Sequence, residues 1–303
     1  MNLDRRARVD RIGVGDRFPL AAFAALRPHV TVAAAAAAAV LACPHRTRRA
    51  AAGIGSAVFV GAVSLLGRAR TRTAAGRTTD LTVLTANVLV GAADTGALAT
   101  LLERAAPDLV ALPEAGPDFR DKMLPLVAGL GYRAWASTAP GTSDGEGVVM
   151  LAADHMGDLT VTTGPEMRHR YLRATGGALG SRSFYAVHPE APVSPERTTR
   201  WRGDLAHIAR WCQESPAPIM AGDFNATADN GLFRAALGRC HSAADGTGLG
   251  LVGTFPAGLP TWCGIQIDHV LVPRGATTTL FRILPVAGSD HRAVLAGISL
   301  PQE

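Results

Sequence analysis

From Asp80 to the C-terminus the chain alternates short, strongly apolar runs with amphipathic stretches, and several of the apolar runs end in a small polar cluster. A short run of aliphatic and β-branched residues reads as a buried strand, whereas apolar residues recurring at every third or fourth position read as a helix laid over it. The run 81–87 is the first strand, 95–105 carries Leu98, Leu101 and Leu102 at helical spacing, and 108–112 is a second strand. This β-α-β opening predicts an α/β fold. Further helices are expected over 118–128 and 198–213, and further strands over 147–151, 183–187, 219–221, 267–272 and 293–298. Trp201, Leu205, Ile208, Trp211 and Cys212 share one face of the longer helix, where packing into the core is their expected role. With 48% apolar residues in 303, there is ample material for a large core.

The segment before Asp80 has a different character. Residues 1–79 hold 13 Arg and no Lys against 3 acids, a balance of +10, while 80–303 hold 17 basic residues against 22 acids, a balance of −5. The overall charge of +5 therefore belongs to the N-terminal segment and is no sign of nucleic-acid binding by the rest. Two apolar tracts, 30–43 with seven consecutive alanines and 50–67, flank the arginine-rich stretch 46–49. A helical span of a bilayer needs roughly 20 apolar residues and at least about 17, so the second tract is long enough and the first is short. The chain thus divides into a membrane segment with its linker, 1–79, and a domain, 80–303. A soluble alanine-rich hairpin is the alternative, because alanine is only weakly apolar. A cleaved leader is disfavoured, since neither tract lies near the N-terminus. The basic stretch 46–49 would sit in the cytoplasm and leave the domain outside, while Arg68, Arg70, Arg72 and Arg77 pull the other way. Of the four cysteines, Cys43 ends an apolar tract; Cys212, Cys240 and Cys263 allow one disulfide, such as Cys212 to Cys240, or three buried thiols.

The polar clusters carry the chemistry. In Gly222-Asp223-Phe224-Asn225 the two-residue period of an extended chain puts Asp223 and Asn225 on one side, and Gly222 admits a close backbone approach, expected here to be that of a ligand. An Asx-turn is the plainer account of that tetrapeptide alone. Glu114 follows Val110 and Leu112 on one face of a strand, a natural place for a metal carboxylate. Asn87 and His188 also end apolar runs. In Ile267-Asp268-His269 the acid could orient a catalytic imidazole, with His269 itself structural; in Ser289-Asp290-His291 an acid and an imidazole stand side by side. His29, His45, His155, His169, His207 and His241 read as surface or core groups.

Taken in order, Asn87, Glu114, His188, the Gly222–Asn225 cluster and the paired 267–269 and 289–291 clusters resemble the endonuclease/exonuclease/phosphatase (DNase I-like) family, over essentially all of 80–300. The resemblance implies a four-layered α/β sandwich, two central mixed β-sheets flanked by helices. It also implies a bound Mg²⁺, or Mn²⁺, held by Glu114 with Asn87 and Asp290. Asp223 would then orient or deprotonate the attacking water, Asn225 and His188 would hold phosphate oxygens, and His291 would stabilise the transition state with its ring fixed by Asp268. Pro113 stands where many members have Gln, and Met150-Leu151-Ala152-Ala153 where some have a Ser-Arg pair; both departures weigh against a nuclease. The N-terminal tracts, together with Leu112-Pro113-Glu114, Gly253-Thr254-Phe255-Pro256 and Gly288 to Arg292, are similar to the membrane-anchored actinobacterial branch that includes VanJ-type proteins. That branch implies a domain facing outward from the cell membrane.

The expected activity is hydrolysis of a phosphoester or pyrophosphate on a lipid or small envelope molecule, by a chain anchored through its N-terminal helices. A DNase I-like nuclease is the first alternative, disfavoured by the −5 balance of 80–303 because duplex binding relies on neutralising several phosphates. A non-catalytic binding module on the same scaffold is the second, and the full set of site residues argues against it.

Overall fold

The computed structural model describes residues 13–42, 65–71 and 77–301 and divides their strands between two six-stranded sheets. One sheet contains β1 (Leu81–Thr85), β2 (Leu109–Pro113), β3 (Tyr132–Ala136), β4 (Val148–Ala153), β11 (Thr277–Pro285) and β12 (Arg292–Ser299). The other contains β5 (Leu159–Thr163), β6 (Leu172–Gly176), β7 (Ser183–Val187), β8 (Ile219–Asp223), β9 (Cys240–Ser242) and β10 (Asp268–Pro273). Their strand orders are β11-β12-β1-β2-β4-β3 and β5-β6-β7-β8-β10-β9. The helices with both ends described are α1 (Leu20–Ala24), α2 (Arg27–Ala42), α3 (Thr95–Ala105), α4 (Pro117–Val127), α5 (Pro195–Trp211) and α6 (Gly231–Ala236).

Each sheet is mixed, with a parallel pair near its centre, β1 with β2 and β7 with β8. A parallel pair needs a long crossover, and α3 and α5 supply the two. Val83, Leu109, Met150, Phe184, Ile219, Val270 and Val294 fill the space between the sheets. On the outer faces, Leu98, Leu102, Phe119 and Met123 of α3 and α4 pack on Leu84, Val110 and Leu112. Trp201, Leu205 and Ile208 of α5 and Phe233 of α6 do the same on Tyr185, Met220 and Phe224. The result is the four-layered sandwich expected. Strands covered on both faces, β2, β4, β7, β8 and β10, are buried at every position, which is why they stand out as unbroken apolar runs.

The strands not foreseen lie at or next to the sheet edges. β5 (LTVTT) and β11 (TTTLFRILP) are half-exposed and rich in Thr, so no continuous apolar run marks them. The expected helix over 198–213 begins earlier, at Pro195, because Ser194 caps it by accepting from the Arg197 amide at 3.2 Å.

Of the two apolar tracts, 30–43 falls almost wholly within α2, whose 16 residues extend ~24 Å at the helical rise. Among the described residues no helix is long and apolar enough to cross a membrane; the tract 50–67 lies outside them up to residue 64. The described N-terminal residues pack on the domain. Asp16 Oδ1 accepts from the Leu232 amide at 3.0 Å, Asn230 Nδ2 donates to the Ala21 carbonyl at 2.8 Å, and Arg68 reaches Asp229 Oδ2 at 2.6 Å. Cys212, Cys240 and Cys263 are free thiols.

Gly222 serves a different purpose from the one read in the sequence. It sits opposite Val187 in the parallel β7–β8 pair, and a Cβ there would lie 1.9 Å from the Val187 carbonyl oxygen. Its missing side chain lets two strands close up, and these are the strands that deliver His188 and Asp223. Gly222→Ala is therefore expected to cost about 3 kcal/mol by overpacking against backbone that cannot yield. Denaturant unfolding of the variant checks this; an unchanged midpoint would contradict it.

Candidate active site

The site residues stand at strand ends because the strands stop there. Asn87 follows β1, Glu114 follows β2, His188 follows β7, Asp223 closes β8, Asp268 opens β10 and His291 precedes β12. In the antiparallel β8–β10 ladder Asp223 and Asp268 are direct partners, so the register places two acids side by side. Both are buried. His291 lies between them: its Nδ1 meets Asp268 Oδ2 at 2.9 Å, and its Nε2 is 3.8 Å from Asp223 Oδ2.

Asp223 is the hub of the cluster. Its Oδ2 accepts from Asn87 Nδ2 at 3.1 Å and lies 3.8 Å from His188 Nε2, while its Oδ1 accepts from the Asn225 amide at 2.8 Å. Asn87 Nδ2 also donates to Glu114 Oε1 at 3.0 Å, and its Oδ1 accepts from the Leu89 amide at 2.9 Å. That last bond fixes which way the carboxamide points, so Asn87 presents its nitrogen to the acids. Glu114 adopts a left-handed backbone, φ 58°, and its Oε2 accepts from the Val90 amide at 2.9 Å. Asn225, also left-handed at φ 47°, places Nδ2 3.4 Å from His188 Nε2 and 3.1 Å from the Pro189 carbonyl.

Seven of the eight residues singled out in the sequence are joined by these contacts. Asp290, the eighth, sits at the rim with its side chain 44% exposed, and its Oδ1 is 3.9 Å from His291 Nε2. That Oδ1 is nevertheless shielded from solvent and has no hydrogen-bond partner, and the same holds for Asp268 Oδ1. Asp223, Asp268 and His291 also bring potential ligand atoms within 4.8 Å of one another. His291, however, is already committed through Nδ1 to Asp268. Asp290 Oδ1 has no partner, and each Glu114 oxygen accepts a single hydrogen bond and keeps a lone pair to spare; carboxylate oxygens of this kind fit a hard divalent cation.

Burial, reinforced by the neighbouring charge of Asp268, pushes the Asp223 carboxyl up to about 7, against the pull of His291, the Asn225 amide and Asn87. Burial works against the charge on His291, but Asp268, Asp223 and Asp290 outweigh it and hold the imidazole up to about 10. Burial, with His169, His291 and Arg197 nearby, keeps His188 well below the ordinary histidine range. The site thus holds a protonated imidazole and a neutral one on either side of a carboxyl that changes charge near neutrality.

Several supporting residues escaped the sequence reading. His169 stacks on His188 with ring centroids 4.5 Å apart, and buried Glu190 lies 3.6 Å from its Nε2 while accepting from Arg197 at 2.7 Å. Thr254 Oγ1 accepts from the Ile267 and Asp268 amides at 3.1 and 3.2 Å, pinning the start of β10. Ser289 donates to the Asn87 carbonyl at 2.7 Å and accepts from the His291 amide at 3.0 Å, tying β1 to the last loop. Phe255 packs on the His291 ring at 4.8 Å. Loop residues without an apolar run or an acid–imidazole pair leave no local signal of a role; Ser289, Thr254 and Phe255 lie inside motifs singled out in the sequence, His169 and Glu190 do not. His269 is structural as expected, its Nε2 2.9 Å from the Ala226 carbonyl on the opposite side of β10 from Asp268.

A centre of this kind at the strand ends of two stacked sheets defines a hydrolase of phosphoric esters. The chain belongs to the Endonuclease/Exonuclease/phosphatase family, which it matches over residues 84–291. Among solved structures it is similar to an endonuclease/exonuclease/phosphatase from Beutenbergia cavernae, at 18% identity with a TM-score of 0.56, covering 74% of this chain and 72% of that one. It is similar also to a humanized D. rerio TDP2, at 15% identity and TM-score 0.57 over 73% of this chain and 99% of that one. The human Nocturnin catalytic domain, solved with bound sulfate, aligns at 18% identity and TM-score 0.55 over 72% of this chain and 94% of that one. These likenesses concern the fold. No curated protein matches the sequence.

The His291–Asp268 pair can be tested directly. In metal-free protein, NMR titration should find the His291 imidazole protonated up to a pH of about 10, and Asp268→Asn should return it toward the ordinary value near 6.5. Because the folded value lies above the unfolded one, the pair's stabilisation is complete below about pH 6.5 and is lost as pH rises through about 10. A wild-type titration near 6.5 would contradict this account.

Proposed function

We propose that the protein is a divalent-cation-dependent hydrolase of phosphoester or pyrophosphate bonds on a lipid or small envelope phosphate. The observation that carries the reading is the buried Asp223–His291–Asp268 chain with His188 and Glu114 beside it. Above a pH of about 7 Asp223 is a carboxylate able to take a proton from water. The Asn225 amide and Asn87 hold it in one orientation. His291 meets negative charge as it builds on the phosphoryl oxygens, and Asp268 keeps that ring both charged and aimed. Neutral His188 and the Asn225 amide group offer further N–H donors to the same oxygens.

Glu114 and Asp290 are the carboxylates assigned to Mg²⁺, with Mn²⁺ as the alternative; Asn87, expected as a third ligand, turns its nitrogen to the acids with its oxygen held by the Leu89 amide, and steadies Glu114. When bound, such a cation neutralises phosphate charge and lowers the proton affinity of water. The residues 30–43 and 50–67 supply the apolar material for anchoring at the cell membrane, and we assign the protein to the VanJ-type branch with its domain facing outward. The acidic balance of 80–303 favours a small or lipid phosphate over duplex DNA.

The full-length protein with Mg²⁺ is expected to release phosphate from lipid pyrophosphates or phosphomonoesters while plasmid DNA stays intact. Asp223→Ala and His291→Ala should each lower the rate by about 10²–10⁴. Full activity in both variants would place the reaction elsewhere, and rapid plasmid nicking by the wild type would favour the nuclease reading.

A further inference from the structure

Beside the site, the turn after β3 and the segment leading into β6 border a half-open cavity of about 610 Å³, lined by Ser137, Thr142, Glu146, Met167, Arg168 and Arg170 among others. Both walls are tied to the catalytic centre. On one side the Gly116 amide, two residues beyond Glu114, donates at 2.7 Å to Asp144 Oδ1, in the same short turn as Glu146. On the other side His169, the residue between the two arginines, stacks on His188.

The chain alternates through this second wall. Tyr171 is buried and His169 is turned onto His188, whereas the exposed Arg168 and Arg170 line the cavity together with the buried Met167. The Arg168 backbone is bound to buried Asp204 of α5, which anchors the wall. Arg168 is partly neutralised by Glu146 at 3.5 Å. Arg170 has no hydrogen-bond or ion-pair partner among the described residues. A free guanidinium on the rim of the cavity is matched to an anion, and its planar fork suits phosphate in particular.

We propose that this cavity receives a second phosphoryl group of a small substrate, with Arg170 as its principal contact and Arg168 beside it. The proposal rests on the phosphoester-hydrolase reading for its first phosphate, and it adds the substrate class: compounds bearing two phosphates. A nucleic-acid strand would call on a row of basic groups. The domain is acidic overall, and a half-open cavity with one unpaired arginine offers a single strong contact.

The test uses propyl phosphate and a ladder of α,ω-alkanediol bisphosphates of increasing chain length, with a single-stranded trinucleotide as the nucleic-acid arm. Binding to the full-length protein is measured by calorimetry and hydrolysis by phosphate release. We expect at least one bisphosphate to bind about tenfold or more tightly than the monoester, since a charge-assisted contact to phosphate is worth that much. Arg170→Ala should erase the preference by raising KM for the bisphosphate while leaving kcat and propyl phosphate kinetics unchanged, and Arg170→Lys should restore part of it. Equal binding of mono- and bisphosphates at every length would overturn the proposal, as would an Arg170→Ala effect equal on both. An Arg170-dependent gain confined to the trinucleotide would overturn it in favour of a strand-binding groove. A bisphosphate preference without hydrolysis would leave the cavity standing and remove the hydrolase reading.

Discussion

Two carboxyl groups held opposite each other by strand register form the constraint on which the site depends. Asp223 and Asp268 are paired positions in the β8–β10 ladder, both buried, and like charges so placed repel. The fold tolerates them because His291 brings a positive charge from the loop before β12, and because Asp223 itself gives up its charge readily. A site under this tension suits phosphate chemistry. It contains an acid able to exchange a proton near neutrality beside a buried imidazolium, the pairing that the proposed hydrolysis uses.

The surrounding structure holds that arrangement in place. Gly222 lets β7 approach β8, which sets His188 against Asp223. Thr254 pins the first residues of β10, and Arg292 draws the loop 253–259 against the last strand through the carbonyls of Gly253, Pro256 and Ala257. Ser289 joins Asn87, just beyond β1, to His291, the residue after Asp290. The two sheets therefore cannot slide without misaligning an acid and its imidazole. The N-terminal segment joins the same end of the domain, since Asp16, Ala21 and Arg68 bind the turn 229–232 and the loop at Gly250.

How much of this was legible follows from burial. Strands covered on both faces appear as unbroken apolar runs, so β1, β2, β4, β7, β8, β10 and β12 could be read, together with the polar residues at their ends. The edge strands β5 and β11 carry Thr on a half-exposed surface and could not. Asp268 and His291 are readable as partners through resemblance, but their 2.9 Å contact is made between the two sheets, a packing that no local pattern encodes. Gly222 was assigned to ligand approach because the sequence shows a missing side chain and not what fills the space. His169 was set aside as an ordinary histidine, since stacking on His188 is a contact between β6 and β7 neighbours and leaves no trace in spacing.

The central claim is that Asp268 and His291 act as one unit on the phosphate. A double-mutant cycle with Asp268→Asn, His291→Ala and the combined variant, read as kcat/KM for phosphate release with Mg²⁺, tests it most directly. If the pair is one unit, the combined variant should be about as slow as His291→Ala alone, because an acid that orients a missing ring has nothing left to lose. Losses that multiply across the two positions would show that each acts independently, and the account of the site given above would not stand.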